Sequence, residues 1–409
     1  MLKRIFKYIG SRAVGPIGML LQISLLARWL PHLDFNIFLQ LYATAVVTSV
    51  ISDAGQRNRL FVALRHGYSH EEEQHHVSNA ARIKFSATVL MTMTAALCVA
   101  IGGRDGVPTA LALLIGIVNA AADINLTVVR AKLRPNTETA VVSVENAAVV
   151  VSYVLLHALN LLSAVTAAGA IVVIGAARAT TTVWISRVKF GFTPHLLPEK
   201  NSLWQTVREN YALLRASIPA TLGLASAQLF NRYPALSLSA LLAPKDYAVF
   251  IAFLTLLLRG QLVVNAVLQA GYRSAFPIWR KYLASARGMF ILGIALAVPV
   301  ELAIVPFPHL AALAYVGKKL AGSYRYDVYA AGFMLLCYPL CASQQALQLA
   351  SRNLVVAVGA VLGVIVQFAL EHAMHPHGPE AVIPYGAGLV VYTAVCGFWL
   401  WFKVPPDQL

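Results

Sequence analysis

The chain has 409 residues, of which 58% are hydrophobic and only 12% charged, and its formal net charge is +15 at pH 7. A soluble chain carries about 25% charged residues, so this composition excludes an ordinary soluble enzyme and makes a bilayer the solvent for the surplus apolar surface. Nucleic acid is excluded as a partner too, because the Lys and Arg residues fall in short loops between apolar runs and not in one stripe or tail.

A membrane span uses about 20 residues. Twelve apolar runs of that kind follow one another, at 9–30, 35–56, 85–102, 107–129, 140–159, 161–184, 216–242, 247–272, 289–307, 330–350, 354–374 and 383–402. The basic start MLKRIFK has no small-residue cleavage site before Arg28-Trp29, so it opens the first span and is not a cleaved signal. The fold class expected is an all-α polytopic membrane protein with twelve transmembrane helices.

Alternate loops differ in Lys and Arg content, 23 on one side against 6 on the other. The rich side holds the N-terminal Lys3, Arg4, Lys7 and Arg12, the group from Arg57 to Lys84, and the basic residues from Arg187 to Arg215. The positive-inside rule then places both termini in the cytoplasm. The longest polar stretch, 187–215, divides the chain into an N-terminal bundle of six helices (1–186) and a C-terminal bundle of six (216–409). Within it Leu203, Val207, Tyr211 and Leu214 repeat every three or four residues, the pattern of an interfacial helix.

The two halves share a motif. Leu30 to Phe38 and Leu242 to Phe250 both read L-x-x-x-D-[FY]-x-[IV]-F, at the outer turns of equivalent hairpins. In each, Asp34 or Asp246 can cap the following helix. A duplicated fold follows.

The run Leu25-Leu26-Ala27-Arg28-Trp29-Leu30, then Asp34-Phe35 and Phe38, then Asp53-Ala54-Gly55, resembles the N-terminal signature of Wzx-type polysaccharide and O-antigen flippases, members of the multidrug/oligosaccharidyl-lipid/polysaccharide (MOP) exporter superfamily. Pro31-His32-Leu33 stands where that signature usually has a Gly-Pro pair, and Asn36 replaces its small residue. The resemblance implies two helical bundles around a V-shaped central cavity. It implies movement of a polyprenyl-pyrophosphate-linked glycan across a bacterial inner membrane, in the company of a polysaccharide polymerase and chain-length partners.

Ionised side chains at the bilayer centre cost roughly 2.5 to 3.5 kcal/mol on insertion scales, so they face a cavity or a partner. Arg232 and Arg259 lie about 21 to 24 Å along their helices, near mid-membrane, on the two arms of one hairpin. Glu301 is the one carboxylate at comparable depth in that half, which leaves a positive surplus. A guanidinium fork matches phosphate oxygens two at a time, so the pair suits a diphosphate. A structural reading is also open, with one arginine paired to Glu301 and the other bonding carbonyls at a break near Pro234. Gln261, Asn265 and Gln269, four apart after Arg259, form a polar stripe able to bond sugar hydroxyls.

In the N-terminal half Asp123, Glu145 and Arg178 all lie about 10 to 14 Å from the cytoplasmic ends of their helices and can meet. Two acids sharing one arginine would make an exchangeable H⁺ or Na⁺ site; a static lock between helices is the other reading. Asp53 pairs with Arg57 or Arg59, and its place in the signature suggests gating or coupling. No metal site is expected, since the polar loop from His66 to His76 lacks a second ligand cluster.

Three functions compete. The first is a cation-coupled flippase of lipid-linked oligosaccharide with no cofactor beyond the coupling ion. The second is a drug/cation antiporter of the same superfamily, against which the arginine surplus argues. The third is a membrane-embedded glycosyltransferase or polymerase, which would need catalytic carboxylates in a large outer domain, whereas the longest outer loop, 308–329, contains only Asp327. Nucleotide hydrolysis is excluded by the lack of a G-x-x-x-x-G-K-[ST] loop.

Overall fold

The computed structural model describes residues 2–65, 68–132, 135–194, 203–271, 336–344, 346–348 and 352–402, with single positions between 291 and 317. Among them there is no strand. The helices are α1 (Leu2–Trp29), α2 (His32–Asp53), α3 (Gln56–Arg65), α4 (His70–Gly102), α5 (Gly106–Ala131), α6 (Pro135–Ala158), α7 (Ala164–Phe190), α8 (Leu203–Ser237), α9 (Pro244–Gly271), α10 (Asn353–Met374) and α11 (Val382–Phe402), with a further helical stretch over 336–348. Seven described helices are long and apolar enough to cross a bilayer, namely α2, α4, α5, α6, α7, α10 and α11. The chain is a multi-pass, all-helical membrane protein. The expected ninth span, 289–307, falls almost wholly outside the described residues.

Three local features differ from the sequence expectation. The polar stretch after Ser69 is helix and not loop, because Ser69 and Glu72 form a reciprocal capping box: the Glu72 N–H donates to Ser69 Oγ at 3.3 Å and the Ser69 N–H donates to Glu72 Oε2 at 2.9 Å. The interfacial helix expected over 201–214 runs without interruption into the seventh span as α8, through Pro219 and Pro234. The second span ends at Asp53, where Ala54 and Gly55 take positive φ of 47° and 69° and start α3 in a new direction. A side chain at Gly55 would also meet Ala220 Cβ at 3.2 Å. The Asp-Ala-Gly triplet of the signature is thus a left-handed corner.

The chain divides into two compact units, residues 40–225 and residues 1–39 with 226–409. In the first, α5 packs against α7, α4 and α3. Leu60, Leu64, Val77, Ala80, Ile124, Val128 and Phe192 form one buried cluster there, and Leu41, Ala45, Ala112, Ile115 and Ala168 form another. Gly116 lets α5 approach α2, since a Cβ there would lie 2.6 Å from Thr48 Cβ.

In the second unit α1 packs on α9. Asn36 Nδ2 donates to the Pro244 carbonyl at 2.9 Å, so the residue that departs from the family signature joins one copy of the repeated turn to the other. The Tyr247 hydroxyl donates to the Ala235 carbonyl at 2.5 Å and holds the start of α9 to α8. Phe230 of α8 stacks on Tyr385 at 5.6 Å and meets Tyr392 edge-on at 5.1 Å, both from α11. Opposite Phe230, α10 and α11 touch through glycines: a Cβ on Gly363 would lie 2.9 Å from the Gly388 carbonyl oxygen and 2.9 Å from the Phe230 ring.

This contact sets a test. Gly363→Ala forces either backbone or ring to move and is expected to destabilise the protein by about 1–3 kcal/mol. Gly169→Ala, on a helical position with nothing within 4 Å, leaves stability unchanged or raises it. Thermal unfolding of the detergent-solubilised variants distinguishes the two.

Candidate functional site

Most of the charged side chains that can be placed belong to the unit of residues 40–225, and they meet around α5. Along α5, Asn119, Asp123, Thr127 and Arg130 recur at three- or four-residue intervals and so share one face. Asp123 carries two arginines, Arg57 Nη1 at 3.5 Å from Oδ2 and Arg130 Nη1 at 3.8 Å from Oδ1. Arg130 also donates from Nε to Glu138 Oε1 at 2.8 Å. Arg178 of α7 donates from Nη1 to Glu145 of α6 at 2.8 Å and from Nη2 to Asn119 Oδ1 at 2.6 Å.

The structure therefore joins Glu145 to Arg178 but does not make the two acids share that arginine. Arg130, seven residues on along the same face of α5, and Arg57, at the head of α3, reach Asp123 directly. Arg178 and Lys84 remain within electrostatic reach of it.

Asp53 differs from its expected pairing. Its Oδ2 accepts the backbone N–H of Arg57 at 3.1 Å, which caps α3. Its cationic partner is Lys84 Nζ, which also donates to the Ala120 carbonyl at 3.1 Å. Lys84 is counted among the cytoplasmic loop cations on sequence alone, yet it is buried within α4. The three partners bind α2, α4 and α5 together. The signal for it was a lysine eight residues past the end of the acidic and His-rich run and just ahead of an apolar one. Nearby, Glu73 accepts from Lys132 Nζ at 2.7 Å. Gln74 bonds both the N–H and the carbonyl of Thr193, which moors the start of the linker to α4. Among these groups Arg57, Lys84, Arg130, Lys132 and Arg178 are matched by Asp53, Glu73, Asp123, Glu138 and Glu145, so this cluster is close to neutral.

The other unit holds Arg232. Although it lies on a long helix, its side chain is 6% exposed and within electrostatic reach of the buried Tyr385 hydroxyl. It is turned to the protein interior and not to lipid. Arg259, Gln261, Asn265 and Gln269 all lie on α9, but their side chains are outside the described ones. Glu301 is outside the described residues altogether. A buried acid that sequence reasoning passed over, Glu371 of α10, accepts hydrogen bonds from Gln367 and Ser237. Its signal was a Gln and a Glu four apart on an otherwise apolar helix.

No family model and no curated protein sequence matches the chain. Solved structures do. A MATE transporter in complex with MaL6 aligns over 97% of this chain and 95% of its own, with a TM-score of 0.67 at 13% identity. The chain has the MATE fold. An inward-facing multidrug resistance MATE transporter of the MOP superfamily aligns with a TM-score of 0.65 at 14% identity, over 97% of this chain and 93% of its own. The eukaryotic MATE transporter AtDTX14 covers all of this chain, 100%, and 97% of its own, at TM-score 0.58 and 14% identity. At these identities the MATE likeness is one of architecture.

Within this MATE-like fold the Asp53 and Lys84 pair is the site whose energetics are most open to measurement. Lys84→Met alone leaves a buried carboxylate without its cation and is expected to cost about 3–5 kcal/mol, whereas Asp53→Asn with Lys84→Met recovers much of it. A double-mutant cycle on thermal unfolding reads the difference.

Proposed function

We propose that the chain is a flippase that moves a polyprenyl-pyrophosphate-linked oligosaccharide across a bacterial inner membrane by alternating access, coupled to H⁺ or Na⁺. The observation that carries this reading is Arg232, a permanently charged guanidinium buried beside Tyr385 on α8. Such a group is expensive to place there, and a diphosphate is the part of the substrate that would use it; sugars offer only hydroxyls. The signature from Leu25 to Gly55 agrees with a lipid-linked glycan as the cargo. In this reading Arg259 shares the diphosphate, and Gln261, Asn265 and Gln269 bond sugar hydroxyls. Asp53, Asp123, Glu145, Arg178 and Glu301 serve gating or coupling. The halves joined at 187–215 are the rocking bodies, both termini are cytoplasmic, and a polymerase with its chain-length partner receives the product.

A second reading is a multidrug antiporter. Two solved structures of this fold are of multidrug resistance transporters, and an acid such as Glu371 is a group that a cationic drug would use.

The readings separate experimentally. Under the flippase reading Arg232→Ala abolishes glycan export in a complementation assay at normal protein level, and Arg232→Lys recovers little, because an ammonium lacks the fork. Arg259→Ala behaves alike. An antiporter would instead extrude cationic dyes, and wild-type glycan export in both alanine variants would remove the anion-site reading. For coupling, Asp123→Asn and Glu145→Gln are expected to flatten the dependence of transport on pH or Na⁺, while a static lock would lower stability and leave that dependence intact.

A further inference from the structure

Helices α3 and α4 leave a cavity between them, ahead of the apolar part of α4, that the charge network around α5 does not use. Helix α3 contributes Gln56, Arg59 and Leu60, and α4 contributes His76, Asn79 and Ala80; each set recurs at three- and four-residue intervals and so lies on one helical face. Leu60 and Ala80 belong to the buried cluster that also holds Val128 and Phe192, which makes the floor apolar. Gln56 is buried, and its Nε2 donates to Ser217 Oγ of α8 at 2.9 Å. Arg59 is exposed and His76 and Asn79 are half-buried, so the polar wall is open to solvent.

No acid lines this cavity. Arg57, Arg130 and Arg178 each face a carboxylate, whereas Arg59 pairs with none among the described residues. The two acids nearest His76 along α4 are already engaged: Glu72 accepts from the Ser69 N–H at 2.9 Å and the Ser69 hydroxyl at 3.1 Å, and Glu73 accepts from Lys132 Nζ at 2.7 Å. The groups that face His76 are His75 and Tyr68, with ring centroids at 6.3 Å and 5.5 Å, together with Arg59 and Glu72. Burial, then His75, then Arg59 lower the His76 pKa, and Glu72 opposes them. The cavity is thus a place where positive groups crowd one another. A negative charge there would relieve the crowding and would find donors in place: the Arg59 fork, at least one imidazole N–H and the Asn79 amide.

We propose that Arg59, His76 and Asn79 form a binding site for a phosphate group. Arg59 supplies the planar fork that takes two phosphate oxygens at once, and His76 and Asn79 supply donors from the opposite helix. The apolar floor strengthens each of these contacts by keeping water from one side. His76 and Asn79 stand about 9 to 14 Å along α4 ahead of Phe85, where its apolar run begins, so both a phospholipid headgroup and a phosphate in solution can reach them. The site requires neither the flippase nor the antiporter reading. Its bearing on transport comes through Gln56, which lies at the base of the cavity and holds α3 to α8.

The test uses the full chain in detergent, titrated with inorganic phosphate against sodium chloride of equal ionic strength and read as unfolding temperature. A saturable rise in phosphate alone is expected for the wild type. Arg59→Lys keeps the charge but loses the fork, and it is expected to weaken the phosphate response about tenfold. His76→Gln is expected to weaken it as well, while Lys189→Gln, an exposed cation at the end of α7, leaves it unchanged. Both pocket side chains reach the surface, so these variants are expected to fold. Micelles doped with phosphatidylglycerol identify the source: displacement of phosphate by this lipid, and not by phosphatidylcholine, assigns the site to a headgroup, and undisturbed phosphate binding assigns it to phosphate in solution. A response no larger in phosphate than in chloride, an equal loss in Lys189→Gln, or wild-type phosphate affinity in both Arg59→Lys and His76→Gln would each overturn the site.

Discussion

A charged group inside a helix built for lipid has to be neutralised by its own protein, because no water is there to do it. Lys84 is such a group. Its ammonium lies within α4, which is otherwise apolar enough to span a bilayer, and it is satisfied by Asp53 at the end of α2 and the Ala120 carbonyl of α5. The pairing leaves little freedom to three helices at once. Asp53 in turn caps α3 through the Arg57 N–H, and Arg57 reaches Asp123. From there Arg130 and Glu138 continue the series. The order of α2 to α6 is thus tied to the matching of charges as much as to apolar packing.

The two units treat charge differently. Around α5, acids and bases alternate and balance. In the unit containing residues 226–409, Glu371 is buried and bonded to the neutral Gln367 and Ser237, and Arg232 is buried within electrostatic reach of the Tyr385 hydroxyl. Balanced pairs rigidify a bundle.

Much of the architecture was legible in the sequence, because bilayer thickness sets the length of an apolar run and each run is bounded by polar loops. The meeting of Glu145 with Arg178 followed from equal depth on adjacent helices, and depth can be counted in residues. What could not be counted was azimuth. Asp123 has Arg178 at matching depth, yet Arg57 and Arg130 face it more closely, and only the rotation of α3 and α5 decides that. Lys84 was hidden for a related reason: a helix start set by Ser69 and Glu72 moved it from a loop into a span. Glu371, three residues from the end of α10, reads as an interfacial acid until its side chain is seen to turn inward. The side chains of Arg259, Gln261, Asn265 and Gln269 are not among those described, so the polar stripe on α9 rests on its spacing.

Gly363 and Gly388 bring α10 and α11 together with backbone nearly touching backbone. Helices separated by a layer of side chains can slide by changing rotamers, but two that meet at their carbonyls have no such lubricant. The pair must travel as one stiff plank. Glu371 rides on one helix and Tyr385 on the other, so a shift of either helix carries both side chains with it, without any side-chain relay between them.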